Sequence, residues 1–136
     1  MSAEDNKAIV IGYIEALNQK KLALEEFLAP GFVFHDPGMP EATDLASVKR
    51  FLANSYDAFP DLKSTIEDVV AAGDKVVLRY SSRMTHQRDY MGIPATGKEL
   101  TSSGIAIYRI AAGKIQEEWA LMDRLGLMQQ LGVIPK

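Results

Sequence analysis

The chain has 136 residues, of which 47% are hydrophobic and 24% charged, the balance of one globular domain whose core needs no disulfide or metal to hold it. Fifteen basic against eighteen acidic side chains leave a net charge of -3 with no Lys/Arg stripe, which argues against nucleic acid as a partner. Zero cysteines exclude thiolate nucleophiles, disulfides and cysteine-rich zinc sites; with a polar N-terminus and no apolar run of membrane-spanning length, they point to a cytoplasmic protein without a membrane partner.

No repeat or linker divides the chain, so residues 1–136 read as a single domain. Ser2 and Asp5 resemble a capping box, and Ile9, Val10, Tyr13, Ile14 and Leu17 then recur at helical spacing, which predicts a helix to about Gln19. A second short helix is predicted over Lys21 to Leu28, stopped by Pro30. Phe32 to His35 suits a strand, and Asp36 to Pro40 is turn chemistry. Asp44 is the expected N-cap of a third helix, with Leu45, Val48, Phe51, Leu52, Tyr56 and Phe59 on one face until Pro60.

From Leu62 the period changes to two. Strands are predicted over Lys63 to Ala71, Lys75 to His86, Leu100 to Ile110 and Ile115 to Met122, before a short C-terminal helix carrying Leu125, Leu127, Met128 and Leu131. Helices followed by strands imply an α+β domain in which three N-terminal helices cover the concave face of a curled antiparallel sheet. The convex face is then partly apolar, and Val77 with its same-face neighbours suits a symmetric homodimer.

The last hairpin has two competing registers. A three-residue loop with Gly113 in the left-handed conformation opposes Ile105 to Trp119 and Ile107 to Glu117, and puts Ile105, Ile107, Trp119 and Leu121 on one face. A two-residue loop separates those isoleucines from Trp119 and Leu121, so the first register is preferred. It also places Asp123 and Arg109 on one face.

Asp123 is the leading chemical candidate, because a carboxylate among Trp119 and Leu121 would have its pKa raised by desolvation into the range of a proton-transfer group. The competing reading makes it the cap of the C-terminal helix. His35 alternates with Val33 and is either a structural residue or a polarising donor. Arg109 is an enolate or carboxylate partner, or a solvated rim charge. His86, at a strand end, is a weaker candidate for substrate contact. No histidine and carboxylate spacing matches a metal site, and the Gly92 to Gly97 segment precedes a strand and not a helix, so no metal and no nucleotide cofactor are expected.

Phe34-His35-Asp36-Pro37, Phe59-Pro60-Asp61-Leu62, Gly92-Ile93-Pro94 with Thr96-Gly97-Lys98, and Gly113-Lys114-Ile115 leading to Glu118-Trp119, Asp123 and Gln130-Leu131-Gly132 together resemble SnoaL-like polyketide cyclases, also called ester cyclases, of the nuclear transport factor 2-like fold. The resemblance spans nearly the whole chain. It implies a cone-shaped α+β barrel with a deep apolar pocket, no cofactor, an aspartate acid/base that carries onto Asp123, and a pocket histidine that carries onto His35. The expected enzyme closes a ring in a small apolar carbonyl compound by aldol addition, or isomerises one, in a pocket lined by Trp119, Leu121, Tyr13 and Phe51. The alternative is a non-catalytic module that binds a small molecule or a partner through the same fold.

Overall fold

The computed structural model describes residues 2–135. Its elements in chain order are α1 (Ala3–Asn18), β1 (Leu28–His35), β2 (Thr43–Asp44), α2 (Leu45–Ala58), β3 (Lys63–Ala72), β4 (Lys75–Thr85), β5 (Glu99–Ala111), β6 (Lys114–Met122) and α3 (Arg124–Leu131). The strands form one curled, unclosed sheet in the order β2-β1-β6-β5-β4-β3. All neighbours run antiparallel except β1 and β6, which are parallel, so the sheet is mixed where an antiparallel one was expected.

The helix ends follow the sequence closely. Ser2 Oγ accepts from Asp5 N at 3.1 Å while the Asp5 carboxylate accepts from Ser2 N at 3.0 Å, completing the capping box of α1. Asp44 caps α2 by accepting from Ser47 N at 2.9 Å. The expected helix over Lys21 to Leu28 is absent. A turn around Glu25 to Phe27 leads straight into β1, and Phe27 O accepts from Ile115 N at 2.7 Å, so this backbone bonds to β6 and not to itself. Leu24 and Leu28, read as one helical face, are both fully buried from the turn and the strand. Only α1 and α2 therefore cover the sheet from the N-terminal side, and the third helix is C-terminal.

The larger core lies between α1 and the sheet and is built on Val10, Tyr13, Leu24, Phe32, Leu78 and Ile115. A smaller core, with Phe59, Met84, Tyr90, Leu100, Leu127 and Leu131, fills the other end of the concave face. Burying a side chain such as Phe32 or Leu78 contributes about 1.5–3 kcal/mol, so the two clusters fix both ends of the space between them.

The β5–β6 turn has two central residues, Ala112 and Gly113, both at positive φ, as a tight hairpin turn requires. This corrects the expected three-residue loop and its pairings: Ile105 faces Leu121, Ile107 faces Trp119 and Arg109 faces Glu117. The shared face survives because Gln116 is an extra residue in β6 between the pairs Ile110–Ile115 and Arg109–Glu117, and this bulge restores the parity that a short loop removes.

Candidate active site

Alternation along the strands sorts the side chains onto two faces. Leu78, Tyr80 and Ser82 of β4, Ser102, Ala106 and Tyr108 of β5, and Glu118 and Ala120 of β6 lie on the helix-covered side; Val77, Ile105, Ile107, Trp119 and Leu121 lie on the other. Most inward residues are buried. Phe34, Tyr80, Gly104, Ala120 and Met122 are only partly so, and they form the most accessible part of this face between the two cores. Leu45, Val48 and Leu52 of α2 roof the larger core beside it.

Glu118 lies on the same face, 8% exposed and with no ion-pair partner among the described residues. Its register partners are Tyr108 on one side and Phe34 on the other. Burial pushes its carboxyl up to about 8, and the Tyr108 hydroxyl beside it opposes this only in part. Tyr13 meets Tyr108 edge-on at 6.2 Å. Burial, with the charge of Glu118, raises the hydroxyl pKa of both, and pushes Tyr80 up to about 12. Around neutral pH the site thus presents tyrosine hydroxyl donors and one carboxyl that ionises in the range useful for proton transfer.

Gly104, Ala106 and Ala120 carry little side chain on this face. Tyr80 uses that space: a Cβ on Gly104 would lie 2.6 Å from its hydroxyl oxygen, so the ring reaches across β5 where only glycine lets it pass. At the rim, Asp36 holds the Arg124 guanidinium and accepts from Gly38 N at 2.8 Å, joining the end of β1 to the start of α3. Two surface clefts lie elsewhere: one of about 200 Å³ beside Asp61 and Glu99, the other of about 460 Å³ between Asn6 and the hairpin turns at Gly73 and Gly113. Among the described residues no three His, Asp or Glu side chains converge as metal ligands.

The pocket expected around Asp123 and His35 does not assemble. Asp123 is exposed and caps α3, accepting from Gly126 N at 2.9 Å, which is the competing reading of this residue. His35 follows the inward Phe34 and so points outward, where its Nε2 meets Glu117 Oε2 at 2.6 Å and its ring stacks on Trp119 at 5.1 Å. Arg109 bonds the other Glu117 oxygen at 3.1 Å on the same outer face. These two partners outweigh desolvation and hold the Glu117 carboxyl below its ordinary value, with His35 the larger cause.

Leu121 and Phe51 are exposed and line no interior pocket either. Tyr13, expected to line a pocket, is buried in the larger core. His86 is fully buried in the smaller core, its Nδ1 clasping Thr96 of the following loop through both backbone N–H and hydroxyl. Glu118 was missed because both faces of β6 are apolar enough to be the core face. The usable signal was its alternation with Ala120 opposite Tyr108, a carboxylate between small and aromatic residues. Removing the cap with Asp123→Ala is expected to lower thermal stability by about 1 kcal/mol without changing turnover; melting curves and an activity assay check both.

Two helices and a C-terminal helix on a mixed curled sheet, with ionisable groups on its concave face, define an α+β cone of the nuclear transport factor 2-like class. The profile of the SnoaL-like polyketide cyclases matches residues 7–131, and the chain belongs to that family. It is 27% identical over 125 residues to the aklanonic acid methyl ester cyclase DauD of Streptomyces sp. (strain C5), spanning 88% of this chain and 76% of DauD. Among solved structures, IdmH of Streptomyces antibioticus, a proposed polyketide cyclase, superposes with a TM-score of 0.85 at 30% identity, covering 93% of this chain and 98% of IdmH. AclR of Streptomyces galilaeus, a proposed hydroxylase, superposes with a TM-score of 0.91 at 26% identity over 99% of this chain and 85% of AclR. The same cone thus carries names of more than one chemistry. No helix among the described residues is long and apolar enough to cross a membrane.

Proposed function

We propose that the protein is a cofactor-independent, polyketide-cyclase-like enzyme in which Glu118 moves a proton at the carbon beside a carbonyl of a small apolar compound. The observation that carries this reading is the placement of Glu118: a carboxylate on the concave face, buried among tyrosines, without a cation to hold it ionised. Family membership and the likeness to DauD support ring closure as the reaction. The Glu118 carboxylate takes the α-proton, leaving an enolate whose carbon attacks a second carbonyl of the same molecule. A carbon–carbon bond forms, and the new alkoxide takes the proton back from Glu118. Tyrosine hydroxyls, Tyr80 being the accessible one, stabilise the enolate oxygen. Isomerisation uses the same two proton transfers.

The first step is tested without knowing the natural substrate, by following deuterium uptake from D2O into the α-carbon of 1-tetralone. Exchange faster than in heat-denatured controls is expected. Exchange at the control rate for this and a panel of cyclic and polyketide-like ketones rejects the enzyme reading. The shielding of Glu118 at 8% exposed favours one second reading, ligand binding without turnover; it predicts binding without exchange.

We further read the protein as a homodimer acting in the cytoplasm, a compartment that suits its cysteine-free sequence. Val70, Val77, Ile105, Ile107 and Leu121 are exposed on the outer sheet face with Trp119 among them, an apolar surface that two copies cover by isologous contact. Sedimentation equilibrium is expected to show a dimer for the wild type and a folded monomer for Ile107→Asp. A wild type that stays monomeric at all concentrations rejects the dimer.

A further inference from the structure

Glu118 is 8% exposed and the Tyr80 ring crosses β5 at Gly104, so a substrate meets the carboxyl only after part of the cover over this face has moved. The two helices on that side are held differently. Val10, Tyr13, Ile14 and Ala16 of α1 are all buried. In α2 burial is confined to Ser55 and Ala58 near its C-terminal end, where Ala58 O accepts from Gln87 N at 3.0 Å and Phe59 packs on Tyr90 at 4.8 Å. Residues 45–54 have no buried side chain: Leu45, Val48 and Leu52 are half-buried over the larger core, and Phe51 is exposed. Segments with so few buried apolar contacts open at a lower free energy than the core.

Ser55 stands at the boundary between the two parts. Its Oγ bonds back to Phe51 O at 2.9 Å, a contact that weakens and bends helices. Ahead of it, the polar contacts that tie residues 36–54 to the rest of the chain, among the described residues, are the two-residue ladder of β2 on β1, Lys49 with Glu25, and Asp36 with Arg124. Asp36 lies two residues beyond the inward Phe34, and its charge reaches the Tyr80 hydroxyl. Burial alone would raise its carboxyl, but Arg124 and the Gly38 N–H hold it below its ordinary value, so the pair is ionised at neutral pH.

We propose that residues 36–54 are a lid over the concave face, hinged near Ser55 and latched by the Asp36–Arg124 ion pair, and that substrate enters when the latch parts. The inference rests on the reading of that face as the substrate site. Opening uncovers three half-buried apolar side chains and breaks partly exposed ion pairs, while the buried anchor at Ala58 and Phe59 stays in place.

Amide hydrogen exchange of the ligand-free protein tests the latch. In the wild type, residues 45–54 are expected to exchange faster than α1. Asp36→Asn keeps an acceptor for Gly38 N but loses the charge, and Arg124→Met keeps the length of the side chain; each is expected to speed exchange in 36–54 about 2- to 5-fold and leave α1 and β4 unchanged. The double variant should be no faster than the singles, because both remove one contact. A wild-type lid as slow as α1, no acceleration, acceleration spread over the whole chain, or additive effects overturns the proposal. Entry is tested by tying the lid down. The chain has no cysteine, so a short bis-maleimide joins only the two introduced in Glu25→Cys/Lys49→Cys, and Glu25 belongs to the body, where its carbonyl accepts from Lys114 Nζ at 2.6 Å. Deuterium uptake by 1-tetralone is expected at the wild-type rate before linking and at the control rate after it. Uptake that survives linking overturns the lid and leaves Glu118 its role. A wild type that exchanges no ketone rejects the enzyme, and the lid then stands or falls on amide exchange alone.

Discussion

Glu118→Gln is expected to lower enzyme-catalysed α-proton exchange by about 10²- to 10⁴-fold with little change in ligand affinity. Glutamine keeps the shape of the side chain and its contact with Tyr108 but cannot accept a proton. As a base, Glu118 acts in its ionised form, so kcat/KM should rise with pH and level off above an inflection near its value of about 8. That inflection should disappear in the variant. Asp123→Asn is the matched control: asparagine still caps α3, and activity should stay near that of the wild type. Exchange kinetics across pH 6 to 9 check all of this. Full activity in Glu118→Gln, or its loss in Asp123→Asn, returns the role of base to Asp123.

The same carboxyl makes stability depend on pH. Folding raises its pKa from an ordinary 4.5 to about 8, so between these values the folded chain holds a proton that the unfolded chain releases. Its contribution is fully present below pH 4.5, falls as pH rises through the window and is lost above 8. The upper bound is roughly 5 kcal/mol, from 1.36 kcal/mol for each pH unit between the two values. Urea unfolding at pH 6 and pH 9 is expected to show a less stable wild type at the higher pH, and a much smaller difference in Glu118→Gln. A wild type equally stable at both would mean that water reaches Glu118 and its ionisation is ordinary.

Local signals in the sequence were reliable wherever neighbouring residues alone decide the outcome. The Ser2 and Asp44 caps, the stops near Pro60 and the four long strands are set by hydrogen bonds and turns within a few residues. The failures share another cause. Lys21 to Leu28 has the spacing of a helix, but Leu28 pairs with Ile115, and that distant partner decides its backbone. Its parallel pairing leaves no local trace. The site failed because β6 is apolar on both faces: Trp119 and Leu121 look like a core stripe, yet they form the outer surface, while Glu118 and Ala120 face inward. Putting Asp123 with Trp119 was sound as parity and wrong as depth. The extra residue at Gln116 kept the parity right even though the loop length was not. Tyr13 was placed inside because α1 has one clear buried stripe.

The parallel union of β1 and β6 joins residues near opposite ends of the chain. During synthesis the first hundred residues can make α1, α2 and the β3–β4 hairpin, but β1 has only the two-residue β2 to pair with until Lys114–Met122 emerges. Closure of the sheet is therefore a late, long-range event with a large loop entropy to overcome. Until it happens, Phe32 and Leu28 wait without their final cover, and the nascent chain is at its most exposed to aggregation just before β6 emerges.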